Sequence, residues 1–336
     1  MKNKLLIKDV AKMAGVSTAT ISRFLNGKYH SMSEATRHHI ASTIEKIGYQ
    51  PNNIARSLRS QQSKTIAVIM ADIFNPYSMD VLRGIEEFCS LEGYKIFICD
   101  AKNSGSRERN YIEEMISRGV DGIIINTTGE NDLFIKGVSL EHPVVLIGRK
   151  IKGSNISSVV ADNAQGIQLA LEHLLNTGCR RVSYLTPAPG NVSPRIERIE
   201  NFATFSALRA FSHITFECLR FERVDREHVL NVMQKLVVNS TKDHAIITGN
   251  GQLSLFVVQA ARALGKSIPE DFSLIGFDET EWSEILKNPL TVVAQPTYEI
   301  GCTAAKNIIK TLRNEHGNDD PTTTLLPFSL IVRDTA

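Results

Sequence analysis

Apolar positions at the start of the chain recur with helical spacing. In Ile7-Lys-Asp-Val10-Ala11-Lys-Met-Ala14 they line one face, and Gly15 follows where a left-handed residue can stop a helix. Ser17 suits the N-cap of a second helix, because its hydroxyl can accept from a free backbone N–H of the first turn. Ile21 and Leu25 form that helix's buried stripe, and Asn26-Gly27 end it. A third helix is expected from Ser33 to Ile47, with Ile40, Ile44 and Ile47 on one face and Gly48 closing it. Two short helices joined by a glycine turn, with a third as the missing core wall, predict an all-α helix-turn-helix domain over residues 1–50. In that geometry the second helix enters the major groove, with Thr18, Ala19, Ser22 and Arg23 facing base edges or phosphates. Arg23 is the candidate for direct readout, since its fork matches both guanine acceptors.

Residues 51–63 read as a hinge helix and linker. The nine residues Asn52-Asn-Ile54-Ala55-Arg56-Ser-Leu58-Arg59-Ser60 are helix-compatible but too short to be stable alone in water. Ile54, Ala55 and Leu58 stand beside Arg56 and Arg59, so one face can pair with a twin while a leucine wedges into the minor groove.

From Lys64 onward the pattern changes. Apolar runs of strand length alternate with amphipathic stretches: Thr65–Met70, 95–99, 122–125, Val144–Ile147, 158–161, 181–185, 244–247, 272–276 and 290–293. This alternation predicts parallel sheets covered by helices on both faces, and about ten strands divide naturally into two lobes. The expected fold class is therefore α/β, an N-terminal helix-turn-helix domain followed by a two-lobed sensor over 64–336. The lobes are expected at 64–162 plus 294–320 and at 163–293 plus 321–336.

Charge sharpens this division. Residues 1–64 hold 11 Lys and Arg against three acids, a formal +8, while the other 272 residues hold 27 against 33, a formal −6. A basic front segment gains affinity for DNA by releasing counterions, whereas the acidic remainder resists lying on it. No uninterrupted run of 18 apolar residues occurs, so neither export nor a membrane span is expected. Five scattered cysteines without a metal or disulfide framework read as buried free thiols in a reducing cytoplasm.

The segments Ile7-Lys-Asp-Val-Ala-Lys-Met-Ala-Gly-Val-Ser-Thr-Ala-Thr-Ile-Ser-Arg23, Asn26-Gly27, Ser33-Glu-Ala-Thr-Arg37 and Gly48-Tyr-Gln-Pro-Asn-Asn-Ile-Ala-Arg-Ser-Leu-Arg59 together resemble the LacI/GalR family of transcriptional regulators. The resemblance implies that Thr18, Ala19 and Arg23 face the operator, that Leu58 is the intercalating hinge residue, and that a homodimer binds a near-palindromic double-stranded operator. Met32 stands where valine is common. More weakly, the resemblance runs through the remainder and implies the fold of periplasmic sugar-binding proteins, with an effector between the lobes. Carried over position by position, the cleft-facing candidates are Tyr77, Ser78, Thr127, Arg149, Arg198, Asn250, Asp278 and Gln295, with Arg195 on the same loop as Arg198. Each has a plainer reading: Asp278 caps a turn, Gln295 belongs to a hinge, and Arg149 or Arg198 sits in surface ion pairs.

Two or three guanidiniums aimed into one cleft favour an anion, since the planar fork pairs bidentately with carboxylate. A sugar acid such as gluconate or 2-keto-3-deoxygluconate is the expected effector, ahead of a phosphorylated sugar and then a neutral sugar. No enzyme, cofactor or metal site is expected. Gly265-Lys266-Ser267 lacks the glycine a phosphate loop needs at position 260, where Ala260 stands, and no nucleophile elbow or zinc helix occurs. His38-His39 have no carboxylate or cysteine at ligand spacing. A solute-binding protein for sugar uptake would share the sensor fold, but the basic front domain argues against it.

Overall fold

The computed structural model describes residues 5–30, 32–49, 62–238, 240–314 and 322–336. The hinge candidates Asn52, Arg56, Leu58 and Arg59 lie outside the described residues. The chain forms two units, Met1–Ser63 and Lys64–Ala336.

In the first unit the three expected helices are α1 (Ile7–Met13), α2 (Thr18–Leu25) and α3 (Glu34–Ile47). Ser17 Oγ accepts from the Thr20 amide at 3.1 Å and Ser33 Oγ from the Thr36 amide at 3.2 Å, so the third helix starts one residue after its serine cap. Gly15 and Gly48 take left-handed φ values of 61° and 60°, the turns that the sequence required. Val10, Ile21 and Ile40 are fully buried at the centre of the small core.

The second unit holds two six-stranded sheets. β1 (Thr65–Met70), β2 (Lys95–Asp100), β3 (Gly122–Asn126), β4 (Val144–Ile147) and β5 (Ser157–Ala161) belong to the first. β6 (Arg181–Pro187), β7 (Thr215–Phe221), β8 (His244–Thr248), β9 (Ser273–Phe277) and β10 (Thr291–Ala294) belong to the second. The last two strands, β11 (Thr323–Leu326) and β12 (Ser329–Ile331), close one sheet each. Spatial orders β2-β1-β3-β4-β5-β11 and β7-β6-β8-β9-β10-β12 are the same doubly wound pattern twice, parallel except where β12 runs against β10.

The intervening helices are α4 (Pro76–Leu91), α5 (Gly105–Ser117), α6 (Asp132–Ser139), α7 (Asn163–Asn176), α8 (Ser193–Ser206), α9 (Arg226–Leu236), α10 (Gly251–Ala263), α11 (Glu281–Glu284) and α12 (Thr297–Leu312). The chain passes between lobes three times, at 161–163, 294–297 and 326–329. The last passage corrects the expected division, which assigned all of 321–336 to the second lobe. β11 instead pairs with β5, from Thr323 beside Ser158 to Leu326 beside Ala161, because it satisfies the open backbone edge of β5. β7, β11 and β12 were not expected as strands. They lie at sheet edges and are mostly half-exposed, so they lack the continuous apolar run of the central strands. Of the five free cysteines only Cys89, Cys99 and Cys179 are buried; Cys218 on β7 and Cys302 on α12 are half-buried.

One buried polar chain crosses the second sheet. The His244 ring meets Ser183 Oγ at 2.8 Å and Ser240 Oγ at 2.7 Å, and Ser183 donates to Glu217 at 2.7 Å. Burial, then the Arg181 guanidinium, hold the imidazole down to about 4. The folded state therefore favours the neutral ring. Its contribution is complete above about 6.5, the ordinary value, and is lost as pH falls toward 4. By pH 5 the loss should reach about 2 kcal/mol. Urea titrations at pH 7 and pH 5 should show a larger drop in wild type than in His244→Gln; equal drops would contradict the assignment.

Candidate functional site

In the first unit, Ile21 points into the core and thereby fixes the rotation of α2. Thr18, Ala19 and Arg23 are consequently exposed, with Ser22 half-buried beside them. Together with Ile7 they line one shallow surface hollow. A row of small side chains with a guanidinium at its end is the shape and charge that a helix lying in a major groove presents to base edges.

In the second unit, the candidate positions follow the carboxyl ends of the parallel strands, where doubly wound sheets hold ligands. Tyr77 follows β1, Thr127 follows β3 and Arg149 follows β4 in the first lobe. Arg195 and Arg198 on α8 follow β6, Asn250 follows β8, Asp278 follows β9 and Gln295 follows β10 in the second.

The side chains converge electrostatically. Burial, and then the neighbouring Arg195, hold the Arg149 guanidinium down to about 10. Arg195 is lowered too, by burial and by Arg198. The buried Tyr77 hydroxyl is raised by desolvation, opposed most strongly by Arg149, and also feels Asp278 and Arg198. Tyr77 and Arg149 of the first lobe thus feel the charge of Arg195, Arg198 or Asp278 of the second.

The arginines are held by neutral groups. Arg149 Nη1 donates to the Thr127 carbonyl, and Arg195 Nη1 to the Ala188 carbonyl at 3.1 Å. Arg198, buried, donates through Nε to Asn163 Oδ1 and through Nη1 to the Gly249 carbonyl, each at 2.8 Å, with its guanidinium 4.4 Å above the Phe277 ring. Among the described residues none of the three forms an ion pair with a carboxylate.

The nearby carboxylates are engaged elsewhere. Asp278 accepts from Gln295 Nε2 at 2.5 Å and from the Gly251 amide at 3.1 Å. Its φ of 73° is a strained conformation for a residue other than glycine, the kind that surrounding structure must hold. Glu108, fully buried, accepts from the Thr128 amide at 2.7 Å, the Thr128 hydroxyl at 2.9 Å and Asn131 Nδ2 at 2.8 Å. The Tyr77 hydroxyl, by contrast, is buried with no hydrogen-bond partner among the described residues. Gly148 makes room for it: at φ 65° a side chain is disfavoured, and a Cβ there would collide with the Tyr77 hydroxyl.

Not every candidate presents its polar atoms to this centre. Ser78 Oγ donates to the Asp72 carbonyl at 2.6 Å, and Asn250 Oδ1 caps α10 by accepting from the Leu253 amide at 2.8 Å. Thr127 Oγ1 accepts from the Gly129 amide at 3.1 Å. Gln295 lies at the second interlobe passage, so its hinge reading and its contact with Asp278 both hold. Sequence reasoning missed Asn163, which aims Arg198, and the Tyr184 hydroxyl, buried on β6 beside Thr186. A polar residue two positions past the strand end at Ala161 was the available signal for Asn163; Tyr184 gave none, because it sits inside a strand-like run.

Comparison with known proteins agrees with both units. Residues 6–52 match the model for bacterial regulatory proteins of the lacI family, and residues 171–336 match a periplasmic binding protein-like domain. The HTH-type transcriptional regulator KdgR of Bacillus subtilis strain 168 is 31% identical over 331 residues, covering 97% of this chain and 96% of its own length. This chain belongs to the LacI family. It is a DNA-binding transcriptional regulator. The regulator PtxS of Pseudomonas putida strain KT2440 is likewise 31% identical, covering 94% of this chain and 92% of its own. Among solved structures, the lac repressor dimer bound to operator and the anti-inducer ONPF shares the fold, with a TM-score of 0.85 at 21% identity over 99% of both chains.

Burial and a neighbouring guanidinium both disfavour the charged form of Arg149. Arg149→Met should therefore raise the stability of the ligand-free protein, by about 1 kcal/mol. Denaturant unfolding checks this; a clear loss would show that the guanidinium stabilises the empty cleft.

Proposed function

We propose that this regulator represses carbohydrate-utilisation genes and that an anionic sugar in the cleft, a sugar acid such as gluconate or 2-keto-3-deoxygluconate, controls its affinity for the operator. The observation that carries this reading is the set of three guanidiniums, Arg149, Arg195 and Arg198, reaching one centre from two lobes without a carboxylate partner among the described residues. A ligand carboxylate supplies the missing charge through bidentate hydrogen bonds. The free Tyr77 hydroxyl supports a hydroxylated ligand, as does Asp278 held rigidly beside it. The protein works by binding and not by turnover.

On this reading two copies pair over a near-palindromic operator, α2 of each entering a major groove. The hinge candidates Asn52, Arg56, Leu58 and Arg59 then contact the intervening minor groove. The ligand acts by binding one arrangement of the lobes more tightly than the other, since only differential affinity shifts such an equilibrium.

Calorimetry with gluconate, 2-keto-3-deoxygluconate, a sugar phosphate and glucose tests the ligand class. Heat of binding is expected for the acids and none for glucose; tight glucose binding without acid binding would remove the reading. For DNA, Arg23→Ala should weaken binding to the specific operator by about 1–3 kcal/mol while leaving non-specific binding nearly unchanged. An equal loss on both kinds of DNA in anisotropy titrations would make Arg23 a phosphate contact.

A further inference from the structure

The two lobes are tied across the cleft by a connected set of polar contacts. Lys150, in the first lobe directly after Arg149, donates its backbone amide to Ser193 Oγ at 2.7 Å and pairs through Nζ with Glu197 Oε1 at 2.6 Å. Ser193 and Glu197 belong to α8 of the second lobe. The other oxygen of Glu197 accepts from Asn163 Nδ2 at 2.8 Å, and Asn163 Oδ1 accepts from Arg198 Nε at 2.8 Å. Asn163 is the first residue past the first interlobe passage. A single run of hydrogen bonds therefore joins the rim of one lobe, the crossing chain and the buried arginine of the other.

The geometry points to Glu197 as a positioning residue: its ion pair with Lys150 closes the lobes, and its hold on Asn163 aims Arg198 at the ligand. This rests on the reading that the effector occupies the cleft. The placement is economical, because Lys150 adjoins Arg149 and Glu197 adjoins Arg198 in sequence. Pairing the two neighbours ties the two guanidinium-bearing segments of opposite lobes to each other. The pair is partly shielded, with side-chain exposures of 35% and 25%, so solvent and salt screen it less than a surface bridge. A ligand carboxylate and the Lys150–Glu197 pair thus favour the same closed arrangement, and each strengthens the other.

The test uses the full chain, with gluconate as probe. Glu197→Gln and Lys150→Met should each raise the Kd about tenfold, the range for a charge-assisted hydrogen bond. The double variant should do no worse than either, since both remove one interaction. Hydrogen exchange of the Lys150 amide in the ligand-free protein should accelerate in Glu197→Gln, because the lobes part. Asn163→Ala should weaken gluconate while leaving that amide as protected as in wild type, which separates aiming from closing. Additive losses in the double variant, or an unchanged Lys150 amide in Glu197→Gln, would overturn the proposal. If wild type binds no sugar acid yet Glu197→Gln still exposes the amide, the closing role stands and the effector reading falls.

Discussion

The organisation of the sensor follows from the placement of like charge. Arg149 and Arg195 sit where burial and a neighbouring guanidinium both act against their charge, enough to draw Arg149 down to about 10, and Arg198 is the neighbour that Arg195 feels. Neutral acceptors hold the guanidiniums in place without cancelling their charge: three backbone carbonyls and the side chain of Asn163. Buried guanidiniums without a carboxylate partner are costly, and on the proposed reading an anionic ligand offsets that cost.

The doubly wound topology explains how a chain of this length brings the arginines together. Each lobe places its strand ends, and the loops that follow them, on one side. The same order used twice lets β4 of one lobe deliver Arg149 while the helix after β6 of the other delivers Arg195 and Arg198. Three chain passages join the lobes, and Asn163 and Gln295 stand at two of them. Each is bonded to a charged residue of the cleft, Arg198 or Asp278. The first unit obeys simpler rules: a small core around Val10, Ile21 and Ile40 turns the polar face of α2 outward.

The helix-turn-helix was legible because every local signal agreed. Serine caps, glycine stops and the spacing of Ile21, Ile40 and Ile44 all marked the same three helices, which is the consistency that specifies a fold. Central strands such as β1 were legible for a related reason, since burial on both faces demands an unbroken apolar run. β7, β11 and β12 escaped notice because an edge strand is defined by its partner, and nothing in Thr323–Leu326 states that β5 offers an open side. In the cleft, residue types were readable but atom directions were not. Asn250 and Ser78 occupy the expected positions with their polar atoms turned to helix starts, and Asn163 matters only because folding sets it against Arg198. The Lys150–Glu197 contact spans 47 positions, and no local pattern announces it.

The central claim is that an anion in the cleft alters the grip of the helix-turn-helix on DNA. Fluorescence anisotropy of a labelled operator, recovered by genomic footprinting, tests it most directly when titrated with protein at saturating gluconate, 2-keto-3-deoxygluconate or glucose. The account predicts at least about a tenfold change in operator Kd with a sugar acid, within the usual range of allosteric coupling, and none with glucose. An operator Kd indifferent to every acid, or one moved only by the neutral sugar, would contradict it.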